Sequence, residues 1–273
     1  MFKTFEKSDG FLDSFPFIAD EVRANPIHRI AAEPDCTMLI DDNENMICAF
    51  SSKLPAWIWH TPELNGFPLR ERLAELAAIL SQAGVSKVLS IPETAKEFAL
   101  YYQLKTGLSC SRSMELMSYY CDHPLKPFMP EGKIVPATFG HMETVKAFCD
   151  DFWKQSLHSS AALDATARSA ESMIDHGGLY LWEKGSGVYT AMANIVYRSP
   201  RHGRINSIYT LPEYREQHFG AALVYRLSEI VLAEGLTPIL FTDAVNESSN
   251  NMVRSIGFTA AGAVNEMTFH RLR

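Results

Sequence analysis

YTLPEYREQHFGAALVYRLSE, residues 209–229, carries the pattern on which the interpretation of the fold rests. Its pattern predicts the end of a strand, a short polar turn and then a helix. A strand that runs directly into a helix leaves unpaired amide groups at the helix N-terminus, where the helix dipole adds partial positive charge. Together these two properties favour the binding of a phosphate group.

Individual residues of this turn bear on the phosphate prediction. Arg215 can add a charge-assisted contact, and Gly220-Ala221 opens the helix with almost no side chain. His218 stands where a phosphate-binding turn usually has a glycine. The alternative is an ordinary strand-to-helix turn with a surface arginine, and the turn alone does not decide between the two.

A second polar segment follows the next predicted strand. It is LFTDAVNESSNNMVRSIGF, residues 240–258. Asn246 comes just after the strand end, where its side-chain amide can offer a donor and an acceptor to the amide groups of a ligand. The alternative is that Asn246, Ser248 and Ser249 turn the chain and cap a helix.

Composition limits the class of protein. The 273 residues allow one large domain or two ordinary ones, and 47% hydrophobic with 21% charged residues is typical of a globular protein. A formal net charge of −7 argues against nucleic acid as the main partner. No apolar run approaches the roughly 20 residues of a membrane span, and the N-terminus does not have the pattern of a signal peptide. We therefore expect a cytoplasmic protein that does not bind the membrane.

The cysteines and histidines predict neither disulfides nor a metal site. The five cysteines include no C-x-x-C pair, and the nine histidines include no H-x-x-x-H pair. Cys149 lies in an amphipathic helical pattern, which favours a buried thiol over a nucleophile.

A segment rich in proline divides the chain. Residues 122–132 contain three prolines and a glycine, and they predict two domains, 1–125 and 126–273. After the segment the patterns predict the order β-α-α-β-β-β-α-β-α-β. The C-terminal parts of both halves share the order helix, strand, helix, strand, which indicates either a duplicated fold or a chance likeness.

The two polar segments together resemble the GNAT acyltransferase family. Residues 215–220, R-E-Q-H-F-G, resemble the family's R/Q-x-x-G-x-G/A signature. Residues 246–258 are similar to its N-P-x-S-N-x-x-Y…G-F segment. The resemblance covers about residues 133–273. It implies an α/β fold with a GNAT-type mixed sheet flanked by helices in the C-terminal half, and it allows the N-terminal α/β domain to be a degenerate GNAT-like copy.

The resemblance also implies a ligand, acyl-coenzyme A, usually acetyl-CoA, and no metal. Its pyrophosphate would lie on the amides of residues 215–220, and its pantetheine arm would pair like an extra strand beside residues 208–210. The implied cofactor-binding residues are Ile208, Tyr209, Thr210, Arg215, Glu216, Gln217, His218, Phe219, Gly220, Ala221, Asn246, Ser249 and Asn251.

The catalytic residues are less well defined by the sequence. Val253 stands where many family members have a tyrosine that protonates the leaving thiolate, and valine cannot do this. A general base is not identifiable, and the candidates are Tyr209, His158 and Glu183. Each of these is also explained as a packing or surface residue.

We therefore expect an N-acyltransferase that moves an acetyl or other short acyl group from CoA to an amine by direct attack in a ternary complex. The acceptor would be a small-molecule amine or a peptide amine. One alternative is a non-catalytic acyl-CoA-binding or regulatory protein, which Val253 and His218 favour. Another is an aminoacyl transferase with two GNAT-like halves, against which the acidic net charge weighs.

Overall fold

The structure is a computed structural model, and it describes residues 1–157 and 163–271. Its strands are β1 (Phe2–Thr4), β2 (Thr37–Asp41), β3 (Met46–Phe50), β4 (Ala56–His60), β5 (Lys87–Ser90), β6 (Ser109–Tyr120), β7 (Lys133–Pro136), β8 (Leu179–Gly185), β9 (Val188–Arg198), β10 (His202–Thr210), β11 (Thr237–Asp243) and β12 (Thr259–His270).

The α-helices of the described residues are α1 (Phe15–Ile18), α2 (Glu21–Ala24), α3 (Pro26–Ile30), α4 (Gly66–Gln82), α5 (Pro92–Thr106), α6 (Met142–Leu157), α7 (Leu163–Asp175), α8 (Phe219–Ala233) and α9 (Glu247–Ser255). From β7 onward the order matches the predicted β-α-α-β-β-β-α-β-α-β element for element. None of these helices combines the length and the apolar character that crossing a bilayer requires.

The chain divides into two compact units. The first comprises Met1–Ser118, Thr242–Asn246 and Ala260–Arg273, and the second comprises Tyr119–Phe241 and Glu247–Thr259. The predicted domains 1–125 and 126–273 stay a prediction. The units differ from them in grouping two C-terminal segments with the N-terminal residues.

The first unit is built on strands β1 to β5, which lie side by side in chain order, followed by β12 and β6. β12 runs antiparallel to β5, with Asn265 opposite Ser90. The leucines of α4 recur every three or four residues, so they share one face of the helix. This face packs with α5 and with β12 in a core that includes Leu73, Leu76, Leu80, Phe98, Tyr102 and Phe269.

The second unit has helices on both faces of its strands. Strands β7 to β10 are antiparallel neighbours in chain order, and β11 runs parallel to β10. Because side chains alternate along a strand, neighbouring residues of β8 face opposite sides. Leu181 belongs to the cluster formed with α6 and α7, whereas Trp182 contacts Phe219 of α8 with ring centroids 6.4 Å apart. α8 therefore covers the face opposite α6.

Candidate functional site

On one edge of β10, the pairing with β11 ends before β10 does. The parallel register with β11 stops at Ile205, opposite Leu240, although β10 continues to Thr210. On its other edge β10 stays paired with β9, where Tyr209 lies opposite Met192. Within residues 1–157 and 163–271, β11 does not pair with β10 beyond Ile205. The predicted pantetheine-binding residues 208–210 lie on this part of the strand.

A β-bulge precedes that part of β10. The register with β9 shifts between Asn206 and Tyr209, and Ser207 has φ 51°, an uncommon value for a residue with a side chain. The side-chain amide of Asn194 on β9 donates to Oδ1 of Asn206 at 3.2 Å and so fixes the start of the bulge. The bulge changes the direction in which residues 208–210 present their backbone groups.

The turn after β10 holds two side-chain-bearing residues in the left-handed conformation. Glu216 has φ 60° and His218 has φ 65°. His218 therefore adopts the backbone conformation for which glycine is favoured. Its side chain makes no capping hydrogen bond to α8. The histidine therefore takes the left-handed conformation that a glycine would take without strain.

The first amides of α8 point out of the helix. The first hydrogen bond of the helix runs from the amide of Ala222 to the carbonyl of His218 at 2.9 Å. The amides of Phe219, Gly220 and Ala221 precede this bond, so they have no acceptor in the preceding turn of helix. These are the amides on which the resemblance places a pyrophosphate.

Gly220 brings the start of α8 close to the end of β10. A Cβ atom at this position would lie 2.9 Å from Oγ1 of Thr210, which is closer than real contacts of this kind. The predicted phosphate-binding and pantetheine-binding residues are therefore adjacent in space as well as in sequence.

Arg215 is held by two elements of the second unit. Its Nε donates to the carbonyl of Thr210 at 3.2 Å, and its Nη2 donates to Oε1 of Gln155 on α6 at 2.5 Å. A guanidinium group has five donors, so these contacts leave it further bonding capacity. In this structure Arg215 connects the end of β10 with α6.

Tyr209 is buried, and its hydroxyl donates to Oδ2 of Asp151 on α6 at 3.3 Å. Burial, and then the nearby charge of Asp151, raise the pKa of Tyr209 to about 12. The phenol therefore keeps its proton near neutral pH, which does not suit a general base.

Glu183 and His158 are the other catalytic candidates, and Cys149 is the thiol considered as a possible nucleophile. Glu183 accepts a hydrogen bond from the amide of Gly187 at 3.2 Å and pairs with Lys133 at 3.4 Å. The hydrogen bond from Gly187 and then the charge of Lys133 lower the pKa of Glu183, which makes its carboxylate a weak base. His158 lies outside the described residues. Cys149 is buried, and burial raises the pKa of its thiol to about 12, which does not suit a nucleophile.

The second polar segment is divided between the units. Asn246 belongs to the first unit, where it is exposed and its amide donates to the carbonyl of Asp243 at 3.0 Å. Ser249 and Asn251 lie on α9 in the second unit, and Asn251 is exposed. The buried amide of this helix is instead Asn250.

Asn250 and Val253 are the buried residues of α9. Asn250 accepts a hydrogen bond from the hydroxyl of Tyr119 at 2.9 Å. Val253 is fully buried. An aliphatic side chain thus occupies the position where the family resemblance places a tyrosine.

Sequence reasoning missed three residues that contact the predicted site. Asp151 and Gln155 lie on α6 and bond to Tyr209 and Arg215, and Phe128 packs against the ring of His218 with centroids 5.6 Å apart. The helical pattern of α6 is visible in the sequence, but which β10 residues it meets depends on tertiary packing. In residues 1–157 and 163–271, no group of three or more His, Cys, Asp or Glu side chains could hold a metal ion.

Comparison with known proteins finds a family model that matches the part of the chain containing the site. Residues 145–258 match the family model described as the acetyltransferase (GNAT) family. A search of the curated proteins finds no match to the chain.

Solved structures resemble the whole chain in fold. A GCN5-related N-acetyltransferase from Sphaerobacter thermophilus has a TM-score of 0.65 at 14% identity, covering 100% of this chain and 96% of its own. A Drosophila protein has a TM-score of 0.66 at 13% identity, covering 98% of both chains. A GNAT-family acetyltransferase from Colwellia psychrerythraea has a TM-score of 0.56 at 14% identity, covering 100% of both chains.

Because these likenesses run over the whole chain, they are consistent with a second GNAT-like domain in the N-terminal half. The predicted mixed α/β fold of the C-terminal half is confirmed, and residues 145–258 match the model of the GNAT acetyltransferase family.

Proposed function

We propose that the protein is an N-acyltransferase that moves an acetyl or other short acyl group from coenzyme A to an amine within a ternary complex. The observation that carries the proposal is the junction of β10 and α8. An open strand edge, a turn in left-handed conformation and a helix N-terminus follow one another over residues 206–221. These features match the parts of coenzyme A in order.

The pantetheine arm fits the open edge of β10. This arm carries amide groups along an extended chain, and extended ligands bind sheet edges through main-chain hydrogen bonds. Ile208, Tyr209 and Thr210 would supply the backbone partners, because β11 no longer pairs with β10 there. The buried side chain of Tyr209 would take no part in that pairing.

The phosphates fit the start of α8. The amides of Phe219, Gly220 and Ala221 have no helical acceptor, and the helix dipole favours negative charge at this end. The left-handed residues before the helix belong to the kind of backbone concavity that binds anions. A side chain at position 220 would fill the space between α8 and Thr210, so the glycine keeps the helix start accessible.

The thioester of acyl-CoA supplies an activated acyl group, and the residues of this chain position and polarise it. A backbone amide of the open β10 edge would donate to the thioester carbonyl and stabilise the negative charge that develops on its oxygen. Val253 has no proton to donate. The amine nitrogen would attack the thioester carbon, and the C–S bond would break. The thiolate of CoA would leave and take up the proton that the amine releases, directly or through water. Because a thiol has a reference pKa of about 8.5, this departure does not require a tyrosine at position 253 near neutral pH.

The test is the amine-dependent release of free thiol from acetyl-CoA, with CoA binding measured by calorimetry on the same samples. We expect CoA to bind and thiol release to depend on an added primary amine. Gly220→Trp should abolish both, because the indole would occupy the helix start.

Gly235→Trp is the matched control, since it places the same side chain beyond the opposite end of α8. It should bind CoA as the unmodified protein does, and thermal melting checks that both variants fold. A folded Gly220→Trp variant that binds CoA normally would contradict the proposal.

The second candidate is a non-catalytic acyl-CoA-binding protein. The buried Val253, the raised pKa of Tyr209 and the lowered pKa of Glu183 favour it, because together they leave the described candidates without an acid or a base suited to neutral pH. CoA binding without amine-dependent thiol release, over a broad panel of small amines and peptides, would support this candidate instead.

A further inference from the structure

Residues 121–132, here called the strap, are hydrogen-bonded to other residues of the second unit at several points along their length. At its start the amide of Cys121 donates to the carbonyl of Pro238 at 3.0 Å. The amide of Leu125 then donates to the carbonyl of Ile256 at 2.9 Å. Gly257 lets the strap approach, since a Cβ atom there would lie 2.8 Å from the carbonyl oxygen of His123.

The far end of the strap is anchored as well. The indole of Trp182 donates to the carbonyl of Glu131 at 3.0 Å. Gly132 has φ 117°, and a Cβ atom on it would lie 2.2 Å from the carbonyl oxygen of Glu183. Prolines 124, 127 and 130 further restrict the backbone between the two anchors. The middle of the strap is therefore held from both ends although most of its side chains are exposed.

Phe128 lies between the anchors and is 70% exposed. Its ring lies against the imidazole of His218, with centroids 5.6 Å apart and planes inclined by 57°. His218 is the residue that immediately precedes α8, so the aromatic ring is held beside the proposed phosphate-binding amides. The strap thus presents a largely solvent-facing phenyl ring at a defined place.

We propose that Phe128 is a stacking platform for the purine ring at the nucleotide end of coenzyme A. The proposal rests on the proposed function, which places the pyrophosphate at the start of α8 and hence the adenosine next to it. Aromatic side chains bind purines through their faces, and a ring that is already held in place loses little conformational entropy on binding. Phe128 would then determine affinity for the nucleotide part of the ligand and not for the pantetheine part.

The experiment compares two pieces of the ligand on the full chain by calorimetry. One is adenosine 3′,5′-bisphosphate, and the other is 4′-phosphopantetheine, which lacks the adenosine. We expect Phe128→Ala to weaken binding of CoA and of adenosine 3′,5′-bisphosphate by about ten-fold or more, the range of base stacking on an aromatic residue. Binding of 4′-phosphopantetheine should stay unchanged, and Phe128→Trp should retain the binding of all three.

Phe139→Ala is the matched control, because Phe139 is another exposed phenylalanine of the second unit. It should leave all three affinities unchanged. Unaltered CoA binding by Phe128→Ala would overturn the inference while leaving the proposed function intact. An equal loss of 4′-phosphopantetheine binding would also overturn it, since the ring would then act through the fold. If the unmodified protein does not bind CoA, the proposed function and this inference both fail.

Discussion

The turn before α8 and the segment around α9 both resemble family motifs, and both depart from them, with different consequences. In the turn, His218 replaces a glycine and still takes the left-handed conformation. In α9, Val253 replaces a tyrosine, and no hydroxyl remains at that position. A role carried by backbone amides survives the change of a side chain, whereas a role carried by a side chain does not. We therefore expect CoA binding to be retained and proton transfer from position 253 to be lost.

The largest expected effect is on the stability of the protein and concerns Gly257, which follows α9. Gly257 has φ 94°, and a Cβ atom there would lie 2.8 Å from a backbone oxygen of the strap. Gly257→Ala should therefore lower the free energy of unfolding by about 3 kcal/mol, as measured by urea denaturation.

Gly235→Ala separates the two causes of that loss. Gly235 has φ 77° with no atom within 4 Å of the added Cβ, so the substitution should cost only about 1 kcal/mol from the backbone conformation. If Gly257→Ala and Gly235→Ala lower the free energy of unfolding equally, the contact with the strap does not require a glycine at position 257.

A second prediction concerns restoration of the tyrosine in α9. Because Val253 is fully buried, Val253→Tyr should overpack its surroundings and lower the free energy of unfolding by about 2 kcal/mol. Thiol release should not increase. Val253→Phe has nearly the same volume without the hydroxyl. A higher rate for Val253→Tyr than for Val253→Phe would show that the hydroxyl can act as an acid there, and would weaken the comparison.

The sequence was most informative where a function depends on local backbone. The strand, turn and helix of residues 209–229 follow from neighbouring residues, and the structure has them in that order. The conformation of His218 could not be predicted, because histidine is allowed on both sides of φ 0°. Contacts across the fold were also hidden, since Asp151 is 58 residues from Tyr209 in the chain. The pairing of β12 with β5 depends on topology in the same way.

A third, smaller effect is expected at the end of β10. Tyr209→Phe removes the hydrogen bond to Asp151 and should cost about 1 kcal/mol of stability. CoA affinity should be unchanged, since the ligand is proposed to contact the backbone and not this side chain. A large loss of CoA affinity in a folded variant would show that the hydroxyl of Tyr209 contributes to CoA binding.

The raised pKa of Tyr209 also gives a pH dependence. The folded protein holds this proton up to about pH 12, whereas an unfolded tyrosine loses it near pH 10. The stabilising contribution is complete below pH 10 and is lost as the pH rises towards 12. Tyr209→Phe should therefore lose stability less steeply over that range, and identical slopes would contradict the assignment.

The smallest effect is expected for His218→Gly. The substitution relieves a left-handed histidine but adds freedom to the unfolded chain, so stability should change by less than about 1 kcal/mol. The CoA dissociation constant should stay within about two-fold. Glu44→Gly is the control, since Glu44 has φ 58° in a turn of the first unit. A large loss of affinity for His218→Gly alone would show that the imidazole contributes to binding, either directly or through its contact with Phe128.

Nuclear magnetic resonance can follow the backbone amides of the proposed CoA site directly. CoA should shift the amide signals of Phe219, Gly220 and Ala221 strongly, together with those of residues 208–210. Pantetheine, which has no phosphate, should shift residues 208–210 alone. If CoA binds while the three amides at the start of α8 keep their free-state signals, the helix N-terminus is not the phosphate site and the proposed binding mode is wrong.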